Sequence, residues 1–88
     1  MHFKLVIVLI LLNLRNILLM DQLEIGRIIQ QRRVSLSLNQ EDLAEMTGIT
    51  TKTIYLIENG KGNPSFSTLS RLLEVLGLDM TIQVKMIS

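Results

Sequence analysis

The sequence contains no cysteine and only one histidine, His2, at its very start. Disulfides and thiolate metal sites are therefore excluded, and a zinc site built from histidines is implausible. A chain without cysteine fits a reducing, cytoplasmic setting. Neither sign of charge is in excess: nine Lys/Arg face eight Asp/Glu, for a net +1. Without residues 1–19, which carry Lys4 and Arg15, seven face eight and the balance is −1. Bulk charge thus does not point to a nucleic-acid partner, and only the placement of the charges can. Reactive constellations are missing as well. There is no serine, histidine and acid set, no glycine loop to cradle a phosphate and no metal cluster; Gly60 and Gly62 stand in an interhelical loop without the other parts of a nucleotide site. The expectation is a protein that binds rather than an enzyme, with no cofactor. Eighty-eight residues make one domain, which buries about 60% of the surface its unfolded chain exposes, so a second subunit would add to a marginal core.

What is present falls into two compositions. Residues 1–19 include the unbroken apolar run Leu5–Leu12, whereas from Met20 onward charges are spread along the chain. The first segment has three readings. A secretory signal would need a small-residue cleavage site, which is missing. A membrane span needs about 20 apolar residues, and Asn13, Arg15 and Asn16 interrupt the run well before that. The third is an extension upstream of a natural start at Met20. If the segment is expressed, so apolar and β-branched a run must be covered, since exposed it promotes aggregation. The organisation expected is therefore an extension over 1–19, a folded domain over 20–78 and a tail over 79–88.

The domain reads as short helices. Asp21 and Glu24 resemble a capping box before Leu23, Ile25, Ile28 and Ile29, which carry a first helix to about Arg33. Asn39 caps a second helix over Gln40–Met46, stopped by Gly48. Thr50 caps a third over Thr51–Glu58, ended by Asn59-Gly60. After the loop Lys61–Pro64, Ser65 begins a fourth helix with Phe66, Leu69, Leu72, Leu73 and Leu76 along one side, and Gly77 stops it. The tail changes period: Met80, Ile82, Val84 and Met86 alternate with Thr81, Gln83 and Lys85, the pattern of a half-buried strand. A lone strand leaves backbone groups unpaired. The same strand of a second copy, with Met80, Ile82 and Val84 at a dimer contact, would satisfy them; the competing partner is the run Lys4–Leu12.

The segment Gln40–Asn59, QEDLAEMTGITTKTIYLIEN, carries the most specific signal. Two helices crossing steeply in a tight turn require a small residue at the crossing, met by Ala44, and a residue free of a side chain at the bend, met by Gly48. Leu43, Ile49, Ile54 and Ile57 are spaced to fill the wedge between them. These residues, with LNQEDLAE before, IENGK after and NPS…L…LLEVLGL in the fourth helix, resemble the helix-turn-helix of the phage repressor and Cro-like (XRE) family over about Leu23 to Leu78. One departure is Thr47, where the family more often has a larger aliphatic residue. The tail after LGLDM is similar to that of HipB-type antitoxins, small repressors that dimerise through such a strand and hold a toxin kinase.

The resemblance implies a mostly α, lambda-repressor-like bundle of four to five short helices with a C-terminal strand paired across a dimer. It implies that the third helix enters the major groove of double-stranded DNA, with Thr51, Lys52, Thr53 and Tyr55 at the base edges. Lysine donates to guanine O6 and N7, so Lys52 is the first candidate for direct readout. Gln40, Asn59, Lys61 and Arg32 are the candidate phosphate contacts, with Ser65 first a cap. Arg33 and Glu58 match a partly buried ion pair tying the first helix to the end of the third. The acidic stretch Glu41, Asp42 and Glu45 reads as a solvent-facing surface. The function implied is a sequence-specific transcriptional repressor bound to an inverted-repeat operator as a homodimer, and more narrowly an autoregulatory antitoxin with a HipA-type toxin kinase as partner. A phage or mobile-element regulator without a toxin, a protein-interaction module with a non-reading helix-turn-helix, and a membrane-tethered regulator are the alternatives.

Overall fold

The computed structural model describes residues 22–81, which form four helices: α1 over 22–35, α2 over Gln40–Thr47, α3 over Thr51–Glu58 and α4 over Phe66–Leu76. Their ends are set by local hydrogen bonds. Asn39 and Asp42 cap each other's backbone at the start of α2, with Asp42 N donating to Asn39 Oδ1 at 2.6 Å and Asn39 N to Asp42 Oδ2 at 2.9 Å. Thr50 Oγ1 accepts from Thr53 N at 3.2 Å, and Ser65 Oγ from Thr68 N at 3.1 Å. Gly48, at φ 73°, takes the left-handed conformation that turns the chain from α2 towards α3.

The buried core is Ile29 from α1, Leu43 from α2, Ile49 from the turn, Ile54 and Ile57 from α3, and Leu72 and Leu76 from α4. Ile25, Ala44, Leu69, Leu73, Val75 and Leu78 pack against it. The residues expected to fill the wedge between the second and third helices thus lie in it.

Three expected core residues do not. Phe66 is 75% exposed, Ile28 43% and Leu23 44%. Phe66 is the first residue of α4 and forms one wall of an open cleft with Leu73, Leu78 and Met80. Ile28 lines a second cleft with Ile25, Leu73, Leu78 and Met80. Phe66 and Ile28 lie on the part of their helices turned to these clefts rather than to the centre, and Leu23 lies beside Gly60.

Among the described residues there is no strand: Met80 and Thr81 are irregular. The rest of the alternating tail, with Ile82 and Val84, lies outside the described residues, as do residues 1–19 and the Asp21 half of the expected capping pair. No described helix is long and apolar enough to cross a membrane.

Gly26 on α1 explains how the first helix meets the third. A Cβ at this position would collide with the carbonyl oxygen of Ile57 and stand 2.9 Å from that of Glu58. Only glycine lets the α1 backbone come this close to the last turn of α3. Gly26 is not among the residues that the local sequence pattern singles out.

Candidate nucleic-acid interface

α3 has two sides of opposite character. Ile54 and Ile57 are buried, whereas Thr51 and Lys52 in the first turn and Tyr55 in the second are exposed. Residues three apart share a side, so Ile54 and Ile57 mark the buried side and Lys52 and Tyr55 the exposed one, with Thr51 between them at the exposed start of the helix. The exposed side carries hydroxyl, ammonium and phenol groups, which donate to and accept from polar edges. Thr53 differs: it is half-buried, and its Oγ1 lies 2.9 Å from Thr50 Oγ1 within the N-terminal cap. Its hydroxyl accepts from Thr50 Oγ1 and keeps its own proton to donate.

The far end of α3 is anchored by a buried ionic network. Arg33 Nε donates to Glu58 Oε2 at 2.7 Å and Nη2 to Glu58 Oε1 at 2.9 Å, a two-point contact. The third donor, Nη1, reaches the carbonyl of Leu38 at 2.8 Å. The Arg33 and Glu58 side chains are 10% and 0% exposed. The hydrogen bond to Glu58 raises the Arg33 pKa, burial opposes the shift, and the carboxylate charge adds to it. Gln40 Nε2 donates to the same Glu58 Oε1 at 3.1 Å. The start of α2, the end of α1 and the end of α3 thus converge on one carboxylate.

The predicted phosphate contacts are distributed unevenly. Gln40 and Thr51 share a polar cleft of about 440 Å³ with Arg33, Asn39 and Glu41, where the N-termini of α2 and α3 open side by side. Exposed backbone N–H groups at helix starts favour an anion. Lys61 lies beyond α3, in a cleft with Thr53, Leu56 and Asn63. Asn59 is exposed, and its Nδ2 donates to Tyr55 O at 2.8 Å, so its side chain caps its own helix. Arg32 is separated from this group. Its Nε donates to Leu76 O at 2.8 Å, capping the end of α4, and it lines neither cleft. Arg32 is exposed, and this bond engages one of its five N–H donors within the chain.

Two residues outside the predicted set hold the turn between α2 and α3. Thr47 Oγ1 donates to Leu43 O at 2.7 Å and accepts from Ile49 N at 3.2 Å. Arg71 Nη1 approaches Thr47 O at 3.4 Å from α4. The Thr-to-carbonyl bond four residues back is a recurrent local pattern and was available to a reader of the sequence; the bond across to Ile49 depends on the turn itself. Among the described residues no group of three or more His, Asp or Glu side chains is placed to hold a metal ion.

A family model described as Helix-turn-helix matches residues 29–83, a stretch that contains all of α2, α3 and α4. The chain is 40% identical over 50 residues to an HTH-type transcriptional regulator of Methanothermobacter thermautotrophicus, covering 57% of this chain and 72% of that protein. It is 38% identical over 56 residues to the HTH-type transcriptional regulator PuuR of Escherichia coli, covering 64% of this chain but only 30% of PuuR. It is 31% identical over 64 residues to the ImmF control region 10 kDa protein of Bacillus phage phi105, covering 73% and 71% of the two chains.

Proposed function

This chain belongs to the helix-turn-helix family of phage repressor and Cro-like (XRE) type, and from that premise we propose that it is a sequence-specific DNA-binding transcriptional repressor of the cytoplasm, acting by binding and not by catalysis. The observation that carries this reading is the two-sided α3: Ile54 and Ile57 seat it in the core while Thr51, Lys52 and Tyr55 face outward. A helix of eight residues presented in this way fits a major groove about 12 Å wide. Lys52 reads a guanine, Thr51 and Tyr55 contact neighbouring base edges or phosphates, and Thr53 offers its methyl group to a thymine. Gln40 and the two helix starts beside it take one phosphate; Asn59 and Lys61 take another beyond the end of α3.

The active form is a homodimer on an inverted repeat. Ile25, Ile28, Leu73, Leu78 and Met80 line neighbouring apolar clefts that open on the surface, and the alternating tail follows from Met80. Exposed apolar surface of this kind calls for a partner. Within this reading the chain is the autoregulatory antitoxin of a toxin–antitoxin pair, with a HipA-type kinase as its second partner; the tail after Asp79 is the feature that supports it. A phage regulator without a toxin is the second reading, favoured by the likeness to the phage phi105 control protein over most of both chains.

The test is a fluorescence-anisotropy titration of the full chain against DNA from immediately upstream of its own reading frame, with scrambled competitor and a salt series. Binding that resists the competitor, weakens with salt and falls at least tenfold in Lys52→Ala supports operator recognition by α3. Equal binding to scrambled DNA, unaffected by Lys52→Ala, rejects it. Co-expression with the product of the adjacent gene separates the two narrower readings: neutralisation of a toxic kinase supports the antitoxin, and the lack of a toxic neighbour supports the phage-type regulator.

A further inference from the structure

We infer that Thr47 is a positioning residue for DNA recognition, its hydroxyl setting the angle between α2 and α3 with Arg71 as its support; the inference rests on the DNA-binding reading above. Thr47 is the last residue of α2 and is buried. Its single hydroxyl bridges the turn: it donates back into α2 at Leu43 O, 2.7 Å away, and accepts from Ile49 N, 3.2 Å away, on the far side of Gly48. Ile49 is itself 6% exposed, and its N–H meets no backbone acceptor among the described residues. The Thr47 oxygen is thus the partner of an otherwise orphaned buried amide.

The larger aliphatic residue that the family resemblance leads one to expect at position 47 has no such oxygen. Arg71 adds a second hold by bringing Nη1 to 3.4 Å from Thr47 O, where the end of α2 presents unpaired carbonyls and favours positive charge.

The geometry makes the turn a lever. The C-terminal end of α3 is clamped by Glu58 to Arg33 and Gln40, while the N-terminal end, which carries Thr51 and Lys52, is held through the turn. An eight-residue helix is about 12 Å long, so a tilt of about 10° around the Glu58 end moves Thr51 by about 2 Å. That displacement is large against the hydrogen-bond geometry on which base readout depends. Non-specific phosphate attraction tolerates it, since it needs charge more than alignment.

The variants to compare are Thr47→Val, which keeps the shape and removes the hydroxyl, and Thr47→Ser, which keeps the hydroxyl. Each full-length protein is titrated against a duplex selected by the wild-type chain from a random library and against a scrambled duplex of the same composition. Amide exchange of Ile49 is followed by NMR at a temperature where the variants are folded. For Thr47→Val the expected result is a loss of at least about tenfold on the selected duplex, less than twofold on the scrambled one, and Ile49 exchange faster by at least tenfold relative to Leu72. Thr47→Ser should return affinity for the selected duplex to within about threefold.

A merely structural role would lower both affinities together or neither, and either pattern overturns the inference. If the wild type itself prefers no duplex, the DNA-binding reading fails and the positioning role falls with it; the Ile49 exchange then still reports whether the hydroxyl holds the turn. Should Thr47→Val not fold, Arg71→Leu carries the same comparison at a residue that is itself exposed. Loss of discrimination is expected there too, and equal affinities for wild type and variant on the selected duplex overturn it.

Discussion

At the scale of single residues, the chain is most sensitive where one group has no substitute. Gly26 is such a place. Replacing glycine by alanine inside a helix ordinarily stabilises by roughly 0.5–1 kcal/mol. Here the new methyl group would meet the Ile57 and Glu58 carbonyls, so Gly26→Ala should instead destabilise by about 1–3 kcal/mol in a urea titration. The Arg33–Glu58 pair is a second. Removing either charge strands the other in a buried site, and Glu58→Gln or Arg33→Met should lose about 3–5 kcal/mol, the double variant less than the sum. The pH dependence follows from the raised Arg33 pKa. A cation whose pKa is higher in the fold than in the unfolded chain contributes its full stability below the unfolded value, and loses it only as pH rises through the folded one. Arg33 therefore remains charged throughout the neutral and mildly alkaline range. The coupling measured by a double-mutant cycle should be the same at pH 7 and pH 10; a decline over that interval would show that Arg33 is not the group holding the pair.

At the scale of the element, α4 shows how position overrides residue type. Leu72 and Phe66 both belong to its apolar side, yet Leu72 is fully buried and Phe66 is 75% exposed. Leu72→Ala should lose about 2–5 kcal/mol, whereas Phe66→Ser should change the unfolding of dilute protein by no more than about 0.5 kcal/mol. The other end of α4 tests Arg32. If its place is at the Leu76 carbonyl, Arg32→Ala lowers stability by about 1 kcal/mol and leaves the salt dependence of DNA binding unchanged. A reduced salt slope would show that its remaining N–H donors reach a phosphate.

At the scale of the whole molecule, charge is placed rather than accumulated. The net charge is only +1, so DNA affinity has to arise from a few cations beside exposed helix starts. Lys61→Ala should reduce the slope of log K against log salt by about 0.9 for each half-site and weaken selected and scrambled duplexes alike. A dimer imposes one further condition: its half-sites lie about 34–36 Å apart, or a multiple of that distance. Inserting about 5 base pairs between them turns one half-site to the opposite side of the duplex and should abolish joint binding in a footprinting experiment.

What the sequence determined by itself is what closes within three or four residues. Asn39, Thr50 and Ser65 start their helices, and Gly48 and Gly77 end theirs, because caps and left-handed turns are hydrogen bonds between near neighbours. The wedge of Leu43, Ile49, Ile54 and Ile57 is legible for a related reason, since periodic apolar residues have few other places to go. The Arg33–Glu58 pair was readable only through family resemblance; its partners stand 25 residues apart and no local pattern joins them. Tertiary structure alone decided the rest. Arg32 meets a carbonyl 44 residues away, Gln40 a carboxylate 18 residues away, and Gly26 the end of a helix it does not adjoin in sequence. Even the short Thr47–Ile49 bond belongs here, because it exists only once the turn has brought a buried amide over the hydroxyl. Local hydrogen bonding specifies each helix; the angles at which the helices cross decide which side chains meet, and those angles come from packing the whole core at once.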